Sequence, residues 1–473
     1  MPEYNRSGMC TAASARCAAF LRSLAIVSVS LSLPLSAGAM DLHEAWQAAL
    51  QNDAMIRASR AAAEAGRERI PQARSQLLPN VSASFTRNYN DLTTHGRNAL
   101  GQSMTTSDDY WSSSRTLSVR QPLYRPGLRA QLRQAEAQVR DTEATLAGDE
   151  QDLVVRVGEA YFDALLAREQ LTLVQSLKRM TTVQLDAARK TFAAGSGTRT
   201  DIDDAQARLD MTLAQELEAR QNVDFTRRKL DVLTGRDGEP LADLDAPRFV
   251  AGPPQPARLD DWVARAWAQS PDLLQLQAQL DAAGEEISRV RADHLPTLDA
   301  VAQWSKTDSD NVNSVNTRYD QKSIGLQLSV PLYSGGYVSS TVRQALATQT
   351  RVQEQIEATR RDIEVRIYRE FREVTEGIAR IGALEQAVAS AEQAVLSGRK
   401  SFEAGVRTTL DVLNAEQQRT SALRDLAQAR YTYLVSLLRL HALAGDDQQE
   451  NVSAINIWLQ PRAQAPQETT SLP

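Results

Sequence analysis

The sequence predicts a mainly α-helical chain with a transmembrane β-barrel portion, and three observations predict it. Two long windows without proline each hold an apolar repeat of seven residues. Ahead of each window stand two segments of about ten residues in which apolar and polar side chains alternate. The whole order occurs twice, over 40–235 and 258–445, so the chain is an internal tandem repeat.

Residues 1–39 read as a secretory signal. Arg6, Arg16 and Arg22 supply positive charge, Leu24 to Leu35 an apolar run, and Ala37-Gly38-Ala39 an A-x-A cleavage site before Met40. The run is too short to span a bilayer as a helix, which disfavours an uncleaved anchor. Both cysteines, Cys10 and Cys17, fall in this segment. The exported chain is therefore expected to have no disulfide, no thiolate metal site and no terminal cysteine for a lipid anchor. The segment holds three of the 53 Lys and Arg and one of the 59 Asp and Glu, so the remainder carries 50 against 58, a net charge of −8. This mild acidity, without a basic patch interleaved with aromatics, argues against a nucleic-acid partner.

Each copy opens with an amphipathic helix of about 30 residues, apolar at Leu42, Ala45, Trp46 and Ala49 or at Leu259, Trp262, Val263 and Ala266. It stops before Leu78-Pro79 or Leu295-Pro296, because a residue preceding proline is pushed out of the helical region.

There the period switches from 3.6 to 2. Strands are expected at about 80–90, 115–124, 297–305 and 322–332, as in Val81, Ala83 and Phe85 alternating with Ser82, Ser84 and Thr86. With Tyr89, Tyr110, Trp111, Trp304 and Tyr319 toward their outer ends, they fit a membrane barrel with an aromatic girdle, although one pair alone could be a soluble hairpin. Four strands cannot close a barrel, for which about eight is the minimum, and open edges are not tolerated in lipid. The chain must oligomerise; two copies would give eight strands and three would give twelve.

Gln121-Pro122-Leu123-Tyr124-Arg125-Pro126-Gly127 and Val330-Pro331-Leu332-Tyr333-Ser334-Gly335-Gly336 then introduce the long helices 127–194 and 336–403. In the first, Leu132, Val139, Leu146, Leu153 and Ala160 mark a coiled-coil seam, with Leu128 and Ala135 beside it. In the second it runs through Ile367, Val374, Ile381, Val388 and Val395, with Ile363, Phe371 and Ile378 in support. Each rod would be roughly 100 Å long, far beyond a bilayer core of about 30 Å. Arg133, Glu136, Arg140, Asp149, Glu150 and Asp152 keep the first out of lipid. Return helices over 198–235 and 408–444 end at Gly235 and Gly445. Residues 236–257, with five prolines, read as a linker, and 446–473 as a polar tail poorly ordered near its end.

With the tandem repeat, the Pro-Leu-Tyr-x-x-Gly turns and the run from Phe402-Glu403-Ala404-Gly405 through Arg407 and Asp411 to Ala415, the chain resembles the TolC family of outer-membrane export channels over nearly its whole mature length. The resemblance implies a homotrimer, a 12-stranded barrel in the outer membrane, and a tunnel of twelve periplasmic helices. It also implies docking to a periplasmic membrane-fusion adaptor and an inner-membrane pump, an ABC transporter or an RND-type pump, with no cofactor and no chemistry of its own. The absence of an anchor cysteine leans the expected cargo toward type I protein secretion rather than drug or small-molecule efflux.

By the same resemblance Asp411 faces the lumen at the periplasmic entrance, a ring of three carboxylates in a trimer that favours cations. Asn414 stands where the family pattern has a second aspartate. Arg407 would latch to Asp201, while Phe402 lacks the tyrosine hydroxyl of another link, so a less tightly locked entrance is expected. The tips carrying Phe192, Gly195, Phe402 and Gly405 would touch the adaptor. The plain alternative for Asp201 and Asp411 is an acid placed favourably at a helix start.

Other constellations carry no chemistry. Asp308 to Asn313 begins like a calcium loop but has Asn313 in place of the turn glycine and Tyr319 in place of the bidentate glutamate. His43, His95, His294 and His441 show no ligand spacing, and no convergent catalytic set appears. A poreless periplasmic scaffold or adhesin is the alternative from another class, and the alternating strands argue against it.

Overall fold

The computed structural model describes residues 39–97, 100–309 and 317–460. The signal up to Gly38 with its two cysteines, most of the calcium-like loop, and the tail from Pro461 lie outside the described residues. The first copy runs α1 (Leu42–Asn52), α2 (Ala54–Arg67), α3 (Arg69–Ser75), β1 (Asn80–Arg97), β2 (Ser103–Tyr124), α4 (Pro126–Ala193) and α5 (Arg199–Thr234). After β3 (Asp243–Leu244), the second runs α6 (Leu259–Gln269), α7 (Pro271–Ala292), β4 (Thr297–Ser309), β5 (Thr317–Ser329), α8 (Tyr337–Glu403) and α9 (Thr409–Ala444). Helix α10 (Gln448–Asn456) and β6 (Leu459–Gln460) follow.

Pro126 takes the first position of α4, where its missing N–H costs nothing, and the helix then continues for 68 residues. Its counterpart α8 has 67. Among the described residues no helix is long and apolar enough to cross a membrane. The seam is buried where the rods are wrapped on all sides, at Leu153 and Ala160 of α4 and at Ile363, Ile367, Val374 and Ile381 of α8. Elsewhere along the seam Leu132 and Leu146 are half-buried, while Val139 and Val395 are again buried.

The opening helix of each copy is broken rather than continuous. Asp53 ends α1 by donating its N–H to Ala49 O, and its carboxylate caps α2 through Ile56 N–H at 2.9 Å. In the second copy Ser270-Pro271 makes the break, with Pro271 opening α7. These breaks let short helices wrap the rods at mid-length, where α1, α6, α9 and α10 close one apolar girdle around Leu153 to Leu165 and Ile363 to Ile381.

The proline-rich segment is pinned to that girdle. The buried Tyr161 hydroxyl lies 3.0 Å from Met40 O and 2.9 Å from Ala242 O, and Tyr433 Oη donates to Gly252 O at 2.8 Å. Strand β3 pairs with β6, so the start of the tail is also ordered, with Val452 and Ile455 of α10 buried. Removing the Tyr161 proton is opposed chiefly by burial, which pushes its pKa well above the ordinary phenol range.

Gly445 closes α9 at φ +76°, and a Cβ there would lie 2.7 Å from Gln269 O at the end of α6. Gly445→Ala is expected to cost about 2 kcal/mol or more, left-handed backbone plus a clash against main chain. The denaturant midpoint of the detergent-solubilised protein measures it, and an unchanged midpoint would contradict it.

The sheet has the order β1-β2-β4-β5, antiparallel throughout, leaving β1 and β5 at the edges. The strands are 18, 22, 13 and 13 residues long, all longer than the alternation marked. Backbone pairing needs no apolar face, so β1 and β2 continue as a polar hairpin beyond the apolar band.

Candidate functional site

Register sorts the barrel wall into two faces. Val81, Val119, Ala302 and Ile324 stand in one cross-strand row, with Ala83, Leu117 and Trp304 in the next. The opposite face carries Ser82, Ser84, Ser118, Thr116, Gln303 and Ser323. The first face suits lipid and the second a watery lumen. Tyr89 and Trp111 pair on the apolar face with ring centroids 5.2 Å apart. Tyr110 and Tyr319, expected in the same girdle, fall on the polar face because each lies one residue out of phase.

Where the wall meets the rods, Arg125 makes a bidentate pair with Asp299, at 2.8 and 2.5 Å, on a carboxylate that is 3% exposed. This clamp ties the start of α4 to β4. Sequence reasoning passed over it, since the matching position of the second copy is Ser334.

At the other end of the rods the two tips are built alike. Gly195 N–H donates to Phe192 O at 2.9 Å, and Gly405 N–H to Phe402 O at the same distance, with φ +78° and +75° turning the chain. Phe192 and Phe402 are both exposed. Thr198 and Thr408 then cap the return helices, and in each capping box the acid is the expected one. Asp201 Oδ2 accepts from Thr198 N–H at 2.9 Å and from its hydroxyl at 2.7 Å. Asp411 Oδ2 does the same with Thr408 at 2.9 and 2.8 Å.

These bonds hold both carboxyls below their ordinary range, the Thr N–H being the largest cause and the hydroxyl the next. Arg407 adds a smaller favourable field at Asp411. Among the described residues no ion pair joins Arg407 to Asp201 within one chain, and Asn414 is exposed. Each acid thus serves its own helix start, and its exposure leaves it available to an ion or a neighbouring copy.

Two buried carboxylates behind the tips escaped sequence reasoning. Glu416, 2% exposed, takes Arg399 at 2.5 Å, joining α8 to α9. The matching pair in the first copy is neutral on one side, Arg189 with Gln206 at 3.1 Å. Glu216 takes Lys178 at 2.7 Å and Arg220 at 2.6 Å. Only burial marks such pairs among the many solvated charges of the rods.

A sheet that only further copies of the chain can close, carried on rods too charged for lipid, defines a subunit of an outer-membrane channel. The chain belongs to the outer membrane efflux protein family, whose model matches residues 45–236 and 262–446, one stretch for each copy of the repeat. It is 37% identical over 425 residues to the alkaline protease secretion protein AprF of Pseudomonas aeruginosa, covering 88% of this chain and 86% of that one. It is 34% identical over 445 residues to the proteases secretion protein PrtF of Dickeya chrysanthemi, covering 93% and 96%. The outer membrane protein VceC from Vibrio cholerae shares the fold, with a TM-score of 0.72 at 18% identity over 86% of this chain and 96% of that one. In this fold three copies with four strands each close the barrel, and their helices continue it as a tunnel.

Proposed function

We propose that the trimer is the passive exit duct of a type I protein-secretion apparatus, receiving cargo through a periplasmic membrane-fusion adaptor from an inner-membrane ABC transporter. The likeness over nearly the whole chain to two proteins named for protease secretion carries this reading. The polar lumen face of the sheet and the charged rods support a watery path from periplasm to exterior.

At the periplasmic end, three copies of Asp411 form a carboxylate ring beside Asn414, and Arg407 reaches Asp201 between neighbouring copies rather than within one. The tips at Phe192, Gly195, Phe402 and Gly405 present exposed turns to the adaptor.

The protein content of culture supernatant, compared between a strain lacking the chain and its parent, tests the reading. One or a few large proteins are expected to disappear from the supernatant. An unchanged supernatant, with expression confirmed in the parent, would overturn protein secretion in favour of small-molecule efflux.

A further inference from the structure

The lipid side of the barrel wall is not apolar along its whole height. On the face that carries Val81 and Ile324, the register places Phe85, Arg115, Lys306 and Asp320 in one row across the four strands. The row outside it holds Arg87, Ser113, Asp308 and Arg318, and the row inside it ends in Lys322 beside Trp304. Five cations and two acids therefore share a narrow band.

The acids are engaged. Asp308 is paired with Arg318 at 2.5 Å, and Asp320 accepts from Trp304 Nε1 at 2.7 Å. Arg87, Arg115, Lys306 and Lys322 take part in no ion pair among the described residues. Arg115 and Lys306 are direct cross-strand partners, like charges offset within the chain only by Asp308, which is already paired with Arg318, and by Asp320 opposite Lys306, so the band keeps an excess of positive charge. Arg87 lies over the Trp111 ring at 4.7 Å and Arg115 over Phe85 at 5.9 Å, which holds each guanidinium against the wall. Asp91 and Asp109, partners on the same face, stand further out, beyond Tyr89 and Trp111.

The height of the band identifies what meets it. From Leu298 to Lys306 is eight residues of β4, or about 27 Å along the strand and roughly 20 Å along the membrane normal at a tilt of about 40°. The cations thus stand where the hydrocarbon ends on the outer side, the aromatic rings beside them marking that interface. Charges facing lipid at this depth are tolerated because headgroups, not acyl chains, surround them.

We propose that this band is a binding surface for a phosphorylated glycolipid of the outer leaflet, whose sugar-borne phosphates bridge Arg115, Lys306, Lys322 and Arg87. Guanidinium edges suit phosphate bidentately, and two adjacent strands place cations close enough to share one group. Three copies repeat the band around the barrel. The surface faces the membrane, so the phosphate comes from a lipid and not from solution. The inference rests on the barrel and its orientation and is independent of the cargo.

The test uses the intact trimer in phosphatidylcholine nanodiscs doped with diphosphorylated lipid A or with its enzymatically dephosphorylated form. Native mass spectrometry counts the retained glycolipid. The wild type is expected to prefer the diphosphorylated form by about tenfold, since each cation near an anionic surface is worth roughly fivefold. R115Q/K306Q is expected to lose most of that preference while still forming the trimer. Equal retention of both forms by the wild type would overturn the proposal, and this comparison holds even if the variant fails to assemble. An undiminished preference in an assembled R115Q/K306Q trimer would overturn it as well.

Discussion

Replacing Trp262 with alanine is expected to destabilise the girdle by about 3–5 kcal/mol, the usual cost of removing a buried tryptophan. Trp262 is fully buried, and its Nε1 donates to Pro256 O at 2.7 Å. Its ring meets His441 edge-on with centroids 5.0 Å apart, and Arg265 lies over it at 4.9 Å. Arg265 Nη1 is 3.0 Å from both carboxylate oxygens of Asp446, and His441 Nδ1 is 2.7 Å from one of them. The indole therefore supports the ion cluster that joins the end of α9 to α6. Trp262→Phe keeps one aromatic ring in place but loses the N–H and the rest of the indole, so it should cost less, about 1–3 kcal/mol. A denaturant midpoint shifted equally by both variants would show that packing is not what Trp262 contributes.

The same cluster sets a pH dependence. Burial opposes the charge of Asp446, but hydrogen bonds from His441 and Arg265 outweigh it and hold the carboxyl below its ordinary value. A depressed native pKa contributes stability above the unfolded value of about 3.9, and that contribution is lost as pH falls through the native value. Stability should accordingly begin to fall below about pH 4. Asp446→Asn should flatten that fall.

The second large effect is expected at the tips. Arg407→Ala should raise single-channel conductance in a planar bilayer several-fold if, as proposed, Arg407 latches neighbouring copies together at the periplasmic entrance. Unchanged conductance would sink the latch. Asp411→Asn should instead bring the cation-to-anion permeability ratio toward unity while leaving the size of the opening nearly as it was. Since Thr408 holds the Asp411 carboxyl in its charged form, wild-type cation preference should persist as pH falls to about 4 and disappear only below that. Thr408→Ala removes the hydroxyl that caps the helix and donates to Asp411 but keeps the backbone N–H, so only the smaller share of that protection is lost and the loss of selectivity should begin at slightly higher pH. Identical titrations of wild type and Thr408→Ala would show that the Thr408 hydroxyl does not tune the ring.

Much of this molecule was legible from residue order. The seven-residue seams with their proline-free windows gave α4 and α8 to within a residue or so at either end, because a helix that long is specified locally at every turn. The Phe and Gly residues at the rod ends and the aspartates that follow marked both tips, while the Thr198 and Thr408 capping boxes went unread although capping is a local exchange of hydrogen bonds. The breaks at Asp53 and Ser270 were visible in principle, as an aspartate cap and a proline, but the apolar stripe running across them argued for continuity. The anchoring of residues 236–257 was hidden, because five prolines signal irregular backbone and say nothing about which tyrosines reach it.

Residue order alone specified the long helices and their return helices, the four barrel strands, the duplication, and the need for further copies to close the barrel. Periodicity and proline act between residues a few positions apart, where they can be read directly. Tertiary structure alone decided that Arg125 meets Asp299 across 174 residues and that Glu416 is buried against Arg399. It alone aligned Arg115 with Lys306 on the lipid side of the wall. Those pairings depend on which faces come together and in which register, and a shift of one residue would carry each strand's side chains to the opposite face.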